Sequence, residues 1–162
     1  MKTKSYKEQN LEHDIVDPES TLLMINKMLH IICGERKDSH FAWKINEDPD
    51  AKDVRRIHKF TEFENDSWST FGYVYIDKLQ AIYCFGGYCW KRLNEIRKFD
   101  INTQKWTLLD CKLPEGINHC GAAIDKSGKY ALILGGYSTG RSTYSDRIYV
   151  FDIEMCKVYE SD

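Results

Sequence analysis

This sequence has no excess of charge of either sign. Its 162 residues include 23 lysines and arginines against 25 aspartates and glutamates, which gives a net charge of −2, and the two signs are interspersed. Without a basic patch we expect no nucleic-acid partner, and without a polybasic cluster we expect no membrane partner. The sequence also has no apolar run long enough to cross a bilayer, and its polar, lysine-rich start is unlike a signal peptide.

Closely spaced metal ligands are missing as well. None of the six cysteines forms a Cys-x-x-Cys pair. Scattered cysteines without a secretion signal favour reduced thiols in a cytoplasmic protein over a disulfide-bonded extracellular domain. His30 and Cys33 are separated by two residues and His40 follows, but on a β-strand the first two side chains point to opposite faces. Because zinc needs ligands that converge, we expect no metal and no cofactor.

What the chain does contain is a pair of adjacent glycines that occurs twice, each time at the end of an apolar run. The first copy is residues 81–87 (AIYCFGG) and the second is residues 130–136 (YALILGG). Gly72 and Gly121 precede the two pairs by the same distance, so the copies are in register about fifty residues apart. This period is typical of a propeller blade, and a unit of this length holds about four strands.

The repeat continues downstream of the glycines. Residues 96–101 (IRKFDI) align with residues 148–153 (IYVFDI). Six residues after the aspartate, the first copy has Trp106 and the second has Val158. Trp106 is large enough to fill the space between neighbouring blades. Only the loop after the glycines changes length, as surface loops tolerate.

A third, degenerate copy can be followed upstream. Residues 20–24 align with the segment that begins at Gly72, and residues 28–34 align with the run that ends at Gly86. Glu35 then replaces the second glycine of the pair, and Lys44 replaces the aspartate.

Each repeat has the features of β structure. Its segments are short, rich in Ile, Val, Tyr, Phe and Leu, and bounded by Gly, Asn, Asp and Lys, and no segment offers an amphipathic helix. Three cysteines in or beside the apolar runs are expected to be small buried hydrophobes, namely Cys33, Cys84 and Cys120. We divide the chain into a polar lead-in at 1–18 and three blades at 19–66, 67–117 and 118–162, the last ending within its expected final strand.

The order of these residues resembles the kelch motif: an apolar run, Gly-Gly, a variable loop, an aromatic residue with Asp, and Trp six residues later. The resemblance covers residues 72–162 well and residues 19–66 loosely, and Glu35, Lys44 and Val158 depart from it. It implies an all-β, kelch-like partial β-propeller of about three four-stranded antiparallel blades.

Three blades are fewer than the four to eight with which propellers usually close. The open faces and unpaired edges that remain are an aggregation hazard. We therefore expect self-association or further blades to complete the ring, with a partial propeller that is stable alone as the alternative.

The loops after the glycine pairs mix aromatic residues with arginine, which is the composition of recognition surfaces. The partner-binding residues predicted in these loops are Tyr88, Trp90, Arg92, Tyr137, Arg141 and Tyr144. By resemblance, the segments that precede the first strand of each blade open on the same rim and add Thr70, Phe71, Asn118 and His119. In the competing interpretation the tyrosines only pack at the rim and the arginines are solvated charges, as we expect for the charged stretch 46–56.

These features favour a non-catalytic, cytoplasmic interaction module that binds a protein or peptide through loops on one rim. One alternative is a carbohydrate-active oxidase or hydrolase on a propeller scaffold. The spacing of Tyr83, Cys84 and His119 does not identify a copper-oxidase site, however, and residues 125–130 form only a generic turn. A second alternative is a structural fragment that assembles with further blades. No catalytic residue is predicted.

Overall fold

The chain folds into three four-stranded antiparallel sheets, each formed by a separate stretch of the sequence. The computed structural model describes residues 19–34, 37–44, 54–59, 68–140 and 143–161. Within these ranges the regular structure is β-strand apart from one 3-10 turn, Asp77–Leu79, and no helix is long and apolar enough to span a bilayer. The predicted all-β partial propeller of three four-stranded blades is confirmed.

The strands in chain order are β1 (Thr21–Ile25), β2 (Met28–Gly34), β3 (Lys37–Lys44), β4 (Val54–Lys59), β5 (Gly72–Ile76), β6 (Ala81–Phe85), β7 (Tyr88–Cys89), β8 (Lys91–Arg92), β9 (Glu95–Asp100), β10 (Lys105–Lys112), β11 (Ile117–Asn118), β12 (Gly121–Ile124), β13 (Tyr130–Leu134), β14 (Tyr137–Ser138), β15 (Ile148–Asp152) and β16 (Lys157–Glu160). Blade 1 is β1-β2-β3-β4, blade 2 is β5-β6-β9-β10, and blade 3 is β12-β13-β15-β16. The short strands pair as β7 with β8 and β11 with β14.

Some predicted features fall wholly or partly outside the described residues. The lead-in at 1–18, Arg141 and the side chain of Cys33 lie outside them, as does most of the charged stretch 46–56. The last residues of that stretch belong to β4, which pairs with β3, so this part is strand rather than the predicted solvated loop. In blade 3, β16 pairs with β15 from Asp152↔Lys157 to Tyr149↔Glu160.

The first repeat differs from the predicted alignment by one residue in its first strand. The alignment placed Leu22 with Val74, but Leu23 is the residue that packs toward the next blade, as Val74 does in blade 2. The cause is the turn between β1 and β2, which holds only Asn26 and Lys27, both with positive φ, whereas four residues join β5 to β6. Because a one-residue slip exchanges the two faces of a strand, Leu22 is exposed.

Blades 1 and 2 pack through one apolar cluster, whose buried members are Leu23, Ile25, Ile32, Trp68, Phe71, Ile82, Cys84, Cys89, Leu93 and Phe99. Trp106 packs against it with its ring 5.8 Å from that of His40 in blade 1, which confirms its predicted place between blades. His30 Nδ1 lies 2.9 Å from His40 Nε2 in this interface, and burial lowers the pKa of His30. Among the described residues, no three His, Cys, Asp or Glu side chains are grouped so as to hold a metal ion.

Blades 2 and 3 pack through a second cluster, whose buried members are Val74, Ile76, Ala81, Tyr83, Phe85, Ile96, Leu113, Ile117, Cys120, Ala131, Ile133, Tyr149 and Phe151. Val158, which stands in the repeat where blade 2 has Trp106, packs against its edge. Cys84 and Cys120 are free and buried, as predicted.

A disulfide also joins blades 2 and 3. Cys111 on β10 is bonded to Cys156 in the turn before β16, with their Cα atoms 6.0 Å apart. The expectation of reduced thiols is therefore wrong for these two cysteines. They lie 45 residues apart in the sequence, and only the packing of two blades brings them together.

We expect the double change Cys111→Ala with Cys156→Ala to lower the free energy of unfolding by about 2–4 kcal/mol without reductant, because the cross-link restricts the unfolded chain. Addition of dithiothreitol should lower the free energy of unfolding of the original chain to the same value. It should leave the free energy of unfolding of the double variant unchanged. Urea unfolding with and without reductant measures both effects. An original chain that does not respond to reductant would contradict the cross-link.

The glycines of blade 2 let the backbone of blade 3 approach closely. A Cβ atom added to Gly86 would overlap the carbonyl oxygen of Ile117, and one added to Gly72 would lie 3.0 Å from the carbonyl oxygen of Cys120. Gly86 also has a φ of +63°, which a residue with a side chain adopts only with strain. At Gly86 glycine is therefore required both by the close approach of the neighbouring backbone and by the positive φ.

We expect Gly86→Ala to cost more stability than Gly135→Ala, its matched control. Gly135 has the same φ of +63°, but a Cβ added there would lie 3.7 Å from its nearest neighbour, the Ser145 carbonyl oxygen. Both changes carry about 1–2 kcal/mol of left-handed strain, and the overlap at Gly86 adds about 1–3 kcal/mol. Urea unfolding at low protein concentration measures the difference, and equal losses would contradict close packing at Gly86.

Candidate functional site

Each loop after a glycine pair folds back onto the segment that enters the same blade. In blade 2, the N–H of Tyr88 donates to the Ser69 carbonyl (2.8 Å), and the N–H of Ser69 donates to the Tyr88 carbonyl (3.0 Å). In blade 3, Tyr137 lies opposite Asn118 and Ser138 opposite Ile117. Tyr88 and Tyr137 thus occupy equivalent places. We call this edge of the propeller the rim, which comprises residues 68–70, 88–92, 115–119, 137–140 and 143–144.

Backbone hydrogen bonds tie the rim of blade 3 to that of blade 2. The N–H of Ile117 donates to the Leu93 carbonyl (2.9 Å), and the N–H of Gly87 donates to the Ile117 carbonyl (2.8 Å). The N–H of His119 donates to the Thr70 carbonyl (2.6 Å). These bonds hold the loops of two consecutive blades side by side.

Three of the predicted residues form a stack across the junction of the two blades. The guanidinium carbon of Arg92, from blade 2, lies 4.1 Å from the ring centroid of Tyr137 in blade 3. The ring of Tyr144 meets that of Tyr137 edge-on, with centroids 5.4 Å apart at 84°. Arg92 Nε is buried and has no hydrogen-bond partner among the described residues, so the ring of Tyr137 is its principal support on that side.

Tyr88 and Trp90 present a second aromatic surface on the β7–β8 hairpin. The side chain of Trp90 is 79% exposed and that of Tyr88 is 43% exposed. Trp90 has a φ of +55°, a conformation that is strained for a bulky residue. The hairpin thus holds an indole ring toward solvent at a cost in backbone energy, a combination that favours a functional role.

Asn118 and His119 lie beside Thr70 where the two blades meet. Asn118 Nδ2 is 2.8 Å from His119 Nδ1 and 3.4 Å from Thr70 Oγ1, and it donates to both when the imidazole proton is on Nε2. Asn118 is buried, and its Oδ1 has no hydrogen-bond partner within the described part of the chain. Thr70 and His119 both have positive φ, 54° and 53°, so the two blades use the same backbone conformation at this point.

Phe71 does not lie on the rim as predicted, and the residues weighed as a copper-oxidase site do not come together. Phe71 was expected on the rim, but it is buried and stacks on Trp68 with ring centroids 4.0 Å apart. Tyr83 and Cys84 point to opposite faces of β6, into different clusters, whereas His119 is exposed on the rim. Burial also raises the pKa of Cys84, which keeps its thiol protonated.

Glu115 is a rim residue that the sequence did not point to. Its carboxylate accepts hydrogen bonds from the Tyr149 hydroxyl (2.6 Å) and from Ser138 Oγ, and Gly140 N–H donates to the same Ser138 Oγ (3.0 Å). Burial and, after it, the bond to Glu115 raise the pKa of Tyr149 to about 12. Glu115 therefore anchors the loop that carries Tyr137. Its local sequence, Pro-Glu-Gly, indicates only a turn, because its partners come from β14 and β15.

We expect Glu115→Gln to loosen this loop, because the amide replaces one accepting oxygen with a donor. The loss should be about 1–3 kcal/mol in the free energy of unfolding, and the pKa of Tyr149 should fall but stay above 10.0, since burial remains its first cause. Urea unfolding and spectrophotometric tyrosine titration measure the two effects. Glu154→Gln is the control, because Glu154 is an exposed carboxylate in the turn before β16, away from Tyr149. A tyrosine titration unchanged by Glu115→Gln would refute the assigned bond.

Comparison with known proteins agrees with this geometry. The family model described as the Kelch motif matches residues 80–111, a segment that runs from β6 to β10 in blade 2. Blade 2 is therefore similar to a kelch repeat. A search of curated proteins gives no match.

The fold also matches solved structures, among them that of YjhT. The superposition has a TM-score of 0.70 at 13% sequence identity, and it covers 88% of this chain but 49% of YjhT. At this identity the likeness shows the fold alone. The chain thus spans about half the length of YjhT.

Proposed function

We propose that this chain is a non-catalytic interaction module that binds a protein or peptide through the rim. The observation that carries the proposal is the stack of Arg92 on Tyr137, continued by Tyr144, whose ring is 76% exposed. Residues from the loops of two blades build this stack together, so it is a property of the propeller and not of one loop.

The chemistry of the stack suits a peptide that carries a carboxylate beside an apolar group. A guanidinium presents donors in a fixed fork that fits a carboxylate. Because the ring of Tyr137 already holds Arg92 in place, less side-chain freedom is lost when a partner binds. The exposed faces of Tyr144 and Trp90 supply the large aromatic contact area that dominates binding energy in protein interfaces.

The cellular location belongs to the proposal as well. A cytoplasmic location is our prediction from the sequence, but the disulfide between Cys111 and Cys156 favours a compartment that is not strongly reducing. The peptide-binding chemistry of the rim is the same in either case.

Peptide selection tests this function. The immobilised chain selects peptides from a random display library, and the affinities of the selected peptides are then measured. We expect Trp90→Ala and Tyr144→Ala each to weaken binding by about tenfold or more, since each removes an exposed ring worth at least ~1.4 kcal/mol in an interface. Arg92→Lys should also weaken the binding of peptides that carry a carboxylate. Lysine keeps the positive charge but lacks the forked set of guanidinium donors.

Met155→Ala is the matched control. Met155 is a large apolar residue that is 65% exposed, but it lies in the turn before β16 and outside the rim. Its change should leave binding intact, and circular dichroism should show that all four variants are folded. Peptides that bind the Trp90 and Tyr144 variants as tightly as the original chain would refute the rim as the binding surface.

A further inference from the structure

Two buried histidines of blade 1 form a pair at the junction with blade 2. His30 lies on β2 and His40 on β3, and they are 3% and 0% exposed. The Nδ1 atom of His30 lies 2.9 Å from the Nε2 atom of His40. At this distance one nitrogen donates a hydrogen bond and the other accepts it, which is an arrangement that two neutral imidazoles can make.

Aromatic rings of blade 2 cover this pair. The ring centroid of Phe99 on β9 lies 4.4 Å from that of His40 and 6.3 Å from that of His30. The ring of Trp106 on β10 lies 5.8 Å from that of His40. Phe99 is a buried member of the apolar cluster between the two blades, and Trp106 packs against that cluster. The histidines therefore face an apolar surface, and burial lowers the pKa of His30.

The blade 2 side of this junction already contains a buried positive charge. The guanidinium carbon of Arg97 on β9 lies 4.2 Å from the ring centroid of Trp68, and the same guanidinium is paired with the carboxylate of Glu95 (2.5 Å). Cys84 on β6 is a buried thiol whose pKa is raised by burial, so it stays neutral. The other titratable residues on this side are Tyr73 and Tyr75 on β5, which are neutral below pH 7, and the exposed Asp110 on β10.

The strands of blade 1 add more basic than acidic positions around the pair. His58 on β4 lies opposite His40 in register. By strand position, the charged residues on the same side of the sheet are Asp38 and Lys44 on β3 and Arg55 on β4. A proton on either buried imidazole would therefore add to a positive charge that both blades already carry at this junction.

Protonation of the pair places a charge inside the apolar cluster. The first added proton goes to the bare nitrogen of the donating ring, so the hydrogen bond remains but an imidazolium is buried beside Phe99. A second proton leaves two N–H groups facing each other. Burial of an ion in apolar surroundings costs free energy, whereas imidazoles exposed to water by an opened junction take up protons near pH 6.5. Acid therefore favours the open junction.

We propose that the His30–His40 pair is a pH-sensitive latch between blades 1 and 2, closed while both imidazoles are neutral and opened by their protonation in mildly acidic surroundings. Histidine clusters at interfaces act as pH sensors in this way. The described buried members of the cluster between blades 2 and 3 include no histidine, so this second junction stays closed. The proposal goes beyond peptide binding at the rim and does not depend on it.

Linkage sets the direction and the size of the effect. The open state binds more protons than the closed state, so the closed junction has its full stability above about pH 6.5 and loses it as the pH falls. Each proton taken up on opening raises the equilibrium constant for opening by up to tenfold per pH unit. Between about pH 7.5 and about pH 5.5, one proton predicts a rise of about tenfold and two protons predict about 100-fold.

Hydrogen exchange of the full chain, measured by mass spectrometry at these two pH values, tests the latch. After correction for the intrinsic exchange rates, protection of the amides of β2 and β3 reports the opening of blade 1, and protection of β13 and β15 reports blade 3. The double variant His30→Gln with His40→Gln replaces the pair with uncharged side chains of similar size that can still hydrogen-bond. His119→Gln is the control, because His119 is exposed and lies away from this junction.

We expect protection of β2 and β3 to fall by about tenfold or more at the lower pH in the original chain and in the His119 variant, while protection of β13 and β15 stays the same. The double variant should lose this response. Equal protection of blade 1 at the two pH values would overturn the proposal, as would a double variant that keeps the full response, which would assign it to other groups such as His58.

Circular dichroism at the higher pH checks that the double variant is folded. If it is not, the single variant His30→Gln decides, because it removes one of the two protonation sites and should respond less to pH than the original chain. A response equal to that of the original chain would overturn the assignment to the pair.

Discussion

The close approach of one blade's backbone to the next is the constraint on which this structure depends. At Gly86 the carbonyl oxygen of Ile117 takes the space that a Cβ would need, and the same carbonyl accepts a hydrogen bond from Gly87. This contact fixes the segment that enters blade 3. Because Tyr137 pairs with that segment beside Ile117, the contact also sets where its ring lies relative to Arg92. A glycine that serves packing thus determines the geometry of the rim.

The sequence predicted those parts of the fold that are local and repeated. The apolar runs, the glycine pairs and the aromatic-Asp element recur at a fixed period, and the strands of blades 2 and 3 follow them. The predicted alignment of β1 was wrong by one residue because a two-residue turn at Asn26 and Lys27 replaces the four-residue turn of blade 2. In this degenerate repeat, the position that aligns with Gly72 holds no glycine to mark the shift. The bond between Cys111 and Cys156 was missed because it depends on how two blades pack.

The rim was predictable in composition but not in arrangement. The repeat placed Tyr88 and Tyr137 at equivalent positions, and the structure agrees. The stack of Arg92 on Tyr137 joins loops from different blades, and a single blade's pattern contains no information about its neighbour. Glu115 escaped notice for the same reason, since its hydroxyl partners lie on β14 and β15.

The disulfide links two of the three blades, so the two junctions between blades differ in how they can separate during unfolding. In repeat proteins each unit is stabilised by its own sheet and by its neighbours, so blades can open in sequence. Blades 2 and 3 stay tethered at their outer edge when their sheets separate, because Cys111 remains bonded to Cys156. Blades 1 and 2 are held together by apolar packing, by the pair of His30 with His40, and by a hydrogen bond from Asn26 Nδ2 to Gln80 Oε1 (2.9 Å). Among the described residues, a covalent cross-link therefore secures the second of the two junctions between blades but not the first.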